Sequence, residues 1–437
     1  MPIHQTQLHL TEAYGIPIKS TVKYLGITIT KNYADRENEN IWKVVDNCQS
    51  KLNLWLLRDV SLLGRVFLTK MESISRCIFP AYSLAISNRA IKRINQINFN
   101  YIWRKKTNYI KKTLLSKKYE DGGLEAIDFE FMNGTLKINW LKSLLNTNNT
   151  WFHFPRQIFK MLGGIDFLLK CDYLIQKLPI KLSLFHQQVL LYWKLLYNHN
   201  FTPHNTPIWN NRYVTIRNKS VFYKDWLDNG IWSPIHLVDN SGQLLAFNDF
   251  CAKYGNFTNL KTFKLITKAI PHSILILIRS VLSTSTNLIL PQLPLTLIGD
   301  CDFRETPIQN KTIRYLFTRI LFPFQSYKNS ILEFFPKDIV PCLRTQFLKF
   351  PIPPKAKEIH YRTFNNIYPS NDFLHKRFGF ETNCCSFCNT DIESTDHVFF
   401  LCNFSDTFWQ NVFIWLQPSF PQLEIFLSER HYFWSNL

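Results

Sequence analysis

The sequence predicts a mainly α fold with minor β. Three observations carry that reading. β-Branched residues crowd one early stretch, 16–30; apolar residues recur at helical spacing from Asp35 onward; and a short Cys/His-rich segment near the C-terminus marks a small zinc-knuckle unit. The chain has 437 residues, 46% of them hydrophobic and 15% aromatic, which excludes global disorder. At roughly 150 residues per domain, that length suggests about three units. With only 13 glycines, collagen-like architectures are excluded and Gly-rich phosphate loops are scarce.

Residues 16–30 (IPIKSTVKYLGITIT) hold a single Gly26 and read as one or two strands. A helix comes next over 35–57, with Trp42, Val45, Leu52 and Trp55 at intervals that share a face. Ser61 suits the N-cap of the next helix. There Leu63, Phe67, Met71, Ile74 and Ile78 point inward, Arg65, Glu72 and Arg76 lie on the opposite side, and Pro80 ends the helix. A third helix over 88–103 turns Ile91, Ile94, Ile97 and Tyr101 inward and leaves Lys92 and Arg93 outside. Glu120-Asp121-Gly122-Gly123-Leu124 is a turn, and another amphipathic helix covers 132–145. Asn146-Thr147-Asn148-Asn149-Thr150 reads as a linker and a domain boundary. Residues 151–345 are mixed, with helices at 186–197 and 248–254, a Pro/Asn-rich loop at 202–211 and Pro/Leu-rich sequence at 288–297. The last unit starts near Pro351: Ser370 caps a short helix that Gly379 stops, and a Trp/Phe-rich helix spans 405–416.

Charge is unevenly placed. Lys+Arg number 51 against 32 Asp+Glu, a formal charge of +19. Residues 51–118 alone hold fifteen Lys/Arg against two acidic residues, Asp59 and Glu72. Within them, Trp103-Arg104-Lys105-Lys106-Thr107-Asn108-Tyr109-Ile110-Lys111-Lys112 interleaves cations with aromatic rings. Such a run is either a surface on which phosphates meet cations and bases stack, or a solvated face that maintains solubility. No run of about 18 uncharged apolar residues occurs, since 274–278 meets Arg279, so no membrane span is expected. The first ten residues lack a signal-peptide pattern, and most of the ten cysteines are scattered singly. Together these predict an intracellular protein of the nucleus or cytoplasm.

The strongest chemical pattern is Cys385-x2-Cys388-x8-His397-x4-Cys402. Three thiols and an imidazole suit tetrahedral structural Zn(II), with no open position for a catalytic water. His397 and Cys402, five apart, converge only if a helix breaks or begins between them. Cys384 competes for the ligand role through a Cys384/Cys388 x3 spacing, and the alternative to a metal is four buried thiols beside a core histidine.

Several segments, taken in order, resemble the region downstream of the polymerase core in LINE-type non-LTR retrotransposon reverse transcriptases. They are Lys23-Tyr24-Leu25-Gly26-Ile27; Trp55; Leu63-Gly64-Arg65 with Lys70; Phe99-Asn100-Tyr101-Ile102-Trp103; and Gly122-Gly123-Leu124. Pro207-Ile208-Trp209-Asn210-Asn211, with Trp226 and Gly230-Ile231, is similar to the next segment of those proteins. Asn366-Ile367-Tyr368-Pro369-Ser370, upstream of the Cys/His pattern, resembles with it their C-terminal zinc-binding domain. The resemblance implies primer-grip-like strands over 1–34, a basic helical thumb-like bundle over 35–145, a mixed α/β connector over 151–345 and a reverse-transcriptase zinc-binding domain over 351–437. It also implies RNA, and possibly DNA template–primer, as partner. Lys23 to Ile27 would form the grip. Arg65, Lys70, Lys92, Arg93, Arg104, Lys105, Lys106, Tyr109, Lys111 and Lys112 would contact nucleic acid.

One departure from the family sets the expected activity. Template-directed polymerisation needs carboxylates that seat two metal ions, which the family draws from an Asp-Asp motif. No Asp-Asp pair occurs in this chain, Met1 lies beyond where the motif should stand, and there is no room for an N-terminal endonuclease. Asp300-Cys301-Asp302, after Gly299, reads as a turn. The sequence therefore predicts a nucleic-acid-binding remnant rather than an enzyme. Two alternatives stand beside it: a fragment of a longer active polymerase, and a structural or interaction module with incidental charge.

Overall fold

The computed structural model describes residues 12–17, 19–106, 108–146, 148–197, 201–202, 205–284, 292–305, 307–322, 337–338 and 340–419. Helices dominate it, and among the described residues every strand belongs to a two-stranded antiparallel hairpin. The fold is mainly α with minor β, as predicted. No single described helix is long and apolar enough to cross a membrane. The start of the primer-grip-like region, 1–11, the first part of the Pro/Leu-rich stretch, 288–291, and the end of the zinc-binding region, 420–437, lie outside the described residues.

The chain divides into two compact units that interleave along the sequence. The first comprises 1–55, 69–99 and 127–324; the second comprises 56–68, 100–126 and 325–437. Residues 35–145 are thus shared between the units, and 127–145 groups with 151–324 across the Asn146–Thr150 stretch.

In the first unit, Thr21–Tyr24 pairs with Ile27–Thr30 in the register Tyr24↔Ile27. The turn is Leu25-Gly26, both left-handed (φ 46° and 83°), the geometry that matches strand twist in a two-residue hairpin. The side chain of Asn40 clasps the second strand, accepting from the Thr28 N–H at 2.7 Å and donating to the Thr28 carbonyl at 2.8 Å. Asn40 sits in a π-helical turn, Asn38–Trp42, that leads into the helix Lys43–Trp55. The inward stripe there is Ile41, Val45, Cys48 and Leu52, whereas Trp55 is exposed, against the expectation that it shares the buried face.

The next stretch corrects the predicted face. Helix Leu62–Thr69 passes through a second π turn, Lys70–Ile74, into helix Ser75–Ser83. The buried line is Leu62, Val66, Thr69, Ser73, Cys77 and Ala81, with Ile74 buried as its spacing indicates, while Phe67, Met71 and Ile78 are exposed. The offset from the expected stripe is already present at Leu62 and Val66, before the π turn. Pro80 lies inside the helix rather than ending it. Ser61 does cap the start, accepting from the Gly64 N–H at 3.3 Å. Helix Asn88–Ile102 buries Ile91, Ile94, Ile97 and Tyr101, the four residues its periodicity indicates.

Helix Phe129–Leu145 is the axis of the first unit's core. Around it, in the same hydrophobic cluster, lie residues of Leu184–Leu196 and Asn310–Leu321, among them Trp193 and Phe317. Gly134 permits this approach, because a Cβ there would meet the Tyr192 and Phe317 rings at 2.8 and 2.9 Å. Trp209 and Trp226 are also buried, the former donating from its indole N–H to the Ile231 carbonyl at 2.8 Å. Asn210, fully buried, donates its amide to the Leu162 carbonyl at 2.9 Å. The Pro207–Asn211 motif is therefore a structural knot. Asp300 and Asp302 belong to the hairpin Leu297–Ile298/Cys301–Asp302, and the Asp302 carboxylate accepts from the Arg304 N–H, as befits a turn.

The second unit gathers helices Val340–Lys349, Pro354–Phe364, Asn371–Phe378 and Asn403–Leu416 around the shorter segments 56–68 and 100–126. Tyr361 donates its hydroxyl to the Gly122 carbonyl at 2.9 Å, and Arg344 donates to the Glu120 carbonyl at 3.1 Å. Glu358 accepts from the Leu62 N–H at 2.6 Å. Gly123 sits against the chain itself: a Cβ would lie 2.1 Å from the Lys117 carbonyl oxygen.

Candidate metal centre and basic segment

The Cys/His pattern folds into one cluster. Residues 383–393 form a small hairpin, with Cys384 bridged to Ile392, Cys385 N–H donating to the Asp391 carbonyl and Glu393 N–H to the Asn383 carbonyl, both at 2.8 Å. This turns Cys385 and Cys388 toward one point, and Asn389 (φ 56°) supplies the left-handed step that closes the turn. On the other side, His397–Leu401 is a π-helical turn whose closing bond runs from the Cys402 N–H to the His397 carbonyl at 2.8 Å. That i→i+5 closure stacks residues five apart, so the helix break required between His397 and Cys402 takes the form of a π turn. Cys402 then sits just before helix Asn403–Leu416.

The donor atoms of Cys385, Cys388, His397 and Cys402 all lie within 4.8 Å of one another. The sulfurs of Cys385 and Cys402 are 4.0 Å apart, and Cys388 Sγ is 3.4 Å from His397 Nε2. A tetrahedron with Zn–S near 2.3 Å has edges of about 3.8 Å, so these separations fit one small ion. Cys385, His397 and Cys402 are buried and Cys388 is half-buried. Cys384 is exposed and lies outside the cluster, whereas Cys385 is one of its four donors. The Thr390 hydroxyl, donating at 3.2 Å, leads the backbone N–H groups of Asp391 and Thr390 in drawing the Cys388 thiol down to about 6, while burial pushes Cys385 up. The Phe387 N–H donates to Cys385 Sγ at 3.4 Å. Among the described residues no other group of three or more metal-type side chains converges.

Glu393 supports the cluster from below, a role that the ligand spacing does not reveal. Its carboxylate is buried and accepts from the N–H groups of Asn371 and Ser386, both at 2.8 Å, from the Ser386 hydroxyl and from the Asn371 amide. Asn371 opens helix Asn371–Phe378, so an anionic group meets the positive helix end. Ser370 caps that helix by accepting from the Phe373 N–H at 3.3 Å, and Gly379 stops it with φ 68°. Position gives a clue to Glu393: it lies between the two pairs of ligands.

The expected nucleic-acid residues are placed differently from one another. Arg65 is buried, 6% exposed, donating to the Ile102 carbonyl at 2.6 Å and also to Val60, and burial pushes its pKa down. This corrects its assignment to an outer face: its guanidinium is spent on backbone carbonyls. Arg104 is engaged by Asp59 at 2.6 Å and by the Val60 carbonyl. Tyr109 is half-buried, its ring 5.7 Å from Trp103 and 6.1 Å from both Phe373 and Phe378, with the Arg362 guanidinium 5.7 Å away. Part of the ring is therefore packed against protein side chains. Lys105, Lys106 and Lys111 are exposed, and Lys112 is half-buried. In the first unit, Lys92 is exposed and Arg93 bonds Gln49 and Gln96; both line a shallow groove with Trp42 and Arg89. Lys70 is half-buried in its π turn. On the hairpin, Lys23, Tyr24, Leu25 and Gly26 are exposed at and beside the turn and Ile27 is buried.

A family model for zinc-binding in reverse transcriptase matches residues 329–409. The match covers all four clustered ligands, and this part of the chain carries a reverse-transcriptase-associated zinc-binding domain.

Proposed function

We propose that the protein is a nucleic-acid-binding relative of the thumb, connector and zinc-binding regions of LINE-type reverse transcriptases, with one structural Zn(II) on Cys385, Cys388, His397 and Cys402. The observation that carries this reading is the four-donor cluster inside the segment matched by the zinc-binding family. Bound there, the metal supplies folding energy, because the four side chains that would hold it occupy every tetrahedral position and leave none for water.

RNA is the partner in this reading, and charge placement supports it. Residues 351–419 hold five Lys/Arg against seven Asp/Glu, so the zinc-bearing stretch has no cationic surplus of its own. Residues 103–118 hold seven Lys/Arg and no acidic residue, and they belong to the same compact unit. Phosphate contacts therefore fall to that segment. Lys105, Lys106 and Lys111 are exposed cations of that segment. The test is fluorescence anisotropy of a labelled RNA hairpin across a salt series. Log affinity should fall linearly with log salt, and replacing the three lysines by Gln should flatten the slope by about 2 units. An affinity indifferent to salt would reduce the segment to a solvated face.

The chain does not polymerise DNA in this proposal, because it has no Asp-Asp pair to seat the metal ions. Labelled nucleotide incorporation on a primed template with Mg²⁺ or Mn²⁺ should equal the no-enzyme control. Incorporation by protein of confirmed mass would contradict this.

A further inference from the structure

We propose that the metal cluster and the basic segment 104–112 form one mechanically coupled RNA-binding surface, in which zinc occupancy holds the segment in place through helix Asn371–Phe378. The choice of RNA as partner rests on the nucleic-acid reading above, whereas the coupling rests on contacts inside the second compact unit.

The segment cannot hold its own shape cheaply. Arg104 and Lys105 both take left-handed backbone (φ 51° and 56°), an arrangement costly for side chains of this kind that persists only where surroundings enforce it. At Arg104 and Lys105 the enforcement comes from Asp59, the Val60 carbonyl and backbone bonds to Asn100 and Tyr101; at Tyr109 it comes largely from the C-terminal part of the chain. The Tyr109 ring packs on Phe373 and Phe378, and Arg377 donates to the Tyr109 carbonyl at 3.0 Å. Arg377 also lies over the Phe373 and Phe378 rings, at 5.4 and 5.8 Å, which fixes the donor. All these groups sit on one helix of eight residues, about 12 Å long.

The opposite end of that helix is fastened to the metal hairpin. Asn371 donates its amide to the Cys384 carbonyl at 2.8 Å and to the Ser386 hydroxyl at 3.0 Å, and its N–H meets Glu393. Asp372 N–H donates to the Glu393 carbonyl at 3.1 Å. The hairpin itself has little apolar interior: Phe387 and Ile392 are exposed, and the buried groups are largely the metal-type donors and Glu393. Without a metal to neutralise and join three thiols and an imidazole, nothing of comparable strength closes it. Loss of the metal then frees Asn371 and Glu393, loosens the helix, and releases Tyr109. Lys105, Lys106 and Lys111 lose their common placement, and RNA affinity falls with it.

Hydrogen exchange read by mass spectrometry on the full chain, in reductant, tests the coupling. Chelation should speed exchange in 371–378 and in 100–112 by roughly tenfold or more, leave 184–196 unchanged, and reverse on adding Zn(II). Loss of protection in 385–402 with 100–112 unchanged would overturn the coupling. In Tyr109→Ala with zinc retained, 104–112 should exchange as in the chelated wild type while 385–402 stays protected. Continued protection of 104–112 in that variant would equally overturn it. Chelation should also weaken RNA hairpin binding about tenfold at fixed salt. Salt-dependent binding by the metal-loaded protein decides the nucleic-acid reading on its own, so a failure of that reading and a failure of the coupling are read from different measurements.

Discussion

Lys137 shows how a single residue type can be misplaced by composition alone. Lysine is rarely fully buried, yet this one lies in the middle of helix Phe129–Leu145 with no exposed surface. Its amine donates to the carbonyls of Ala81 and, at 2.8 Å, Leu84, which end helix Ser75–Ser83, and it faces the Phe185 ring at 4.5 Å. Burial pushes its pKa down to about 7, and a neutral amine can still donate to both carbonyls. The folded state then releases this proton near pH 7, while the unfolded state keeps it to about 10.4. Between those values the unfolded state binds more protons, so stability rises with pH by about 1.4 kcal/mol per unit from this group. Urea titrations at pH 7 to 9 should show wild type gaining on Lys137→Met across the window. A constant difference between the two would contradict the depressed pKa. Arg65 obeys the same logic: a cation at a helical position is legible, its use inside the protein is not, because its partners, the Val60 and Ile102 carbonyls, leave no mark in the sequence.

At the scale of elements, close backbone approach is the constraint with the sharpest consequence. Gly123 cannot carry a Cβ without meeting the Lys117 carbonyl at 2.1 Å, and backbone cannot swing aside as a side chain can. Gly123→Ala should destabilise the protein by roughly 2–4 kcal/mol, whereas Gly230→Ala, with open space around it but positive φ, should cost nearer 1 kcal/mol. Thermal unfolding of the pair checks the order; equal losses would contradict it. Which elements exist is largely readable from periodicity. The helix Asn88–Ile102 and the cap and stop of Asn371–Phe378 come from apolar spacing, Ser370 and Gly379, all local features. The face of the Leu62–Ser83 run is not readable, because tertiary packing turns Leu62 and Val66 inward rather than the equally apolar Leu63 and Phe67 beside them. The metal ligands are legible because spacing alone groups them; Glu393 is not, because its partners are mostly backbone N–H groups and short polar side chains that any sequence offers.

Over the whole molecule, chain order and compactness part company. Residues 56–68 and 100–126 group with the C-terminal zinc-bearing part, although more than 200 residues separate 126 from 337. Periodicity cannot report such grouping, since each contact, such as Tyr361 to Gly122, joins residues distant in sequence. The consequence is that the family match at 329–409 spans only part of the unit in which those residues fold. Everything proposed for this unit depends on its metal, and the geometry groups four donors and leaves Cys384 outside them. Native mass spectrometry of the full chain measures that assignment. One zinc per chain is expected in the wild type and in Cys384→Ser, and none in Cys385→Ser or Cys402→Ser. A zinc-free wild-type chain that remains folded, or loss of the metal in Cys384→Ser with retention in Cys385→Ser, would contradict the account.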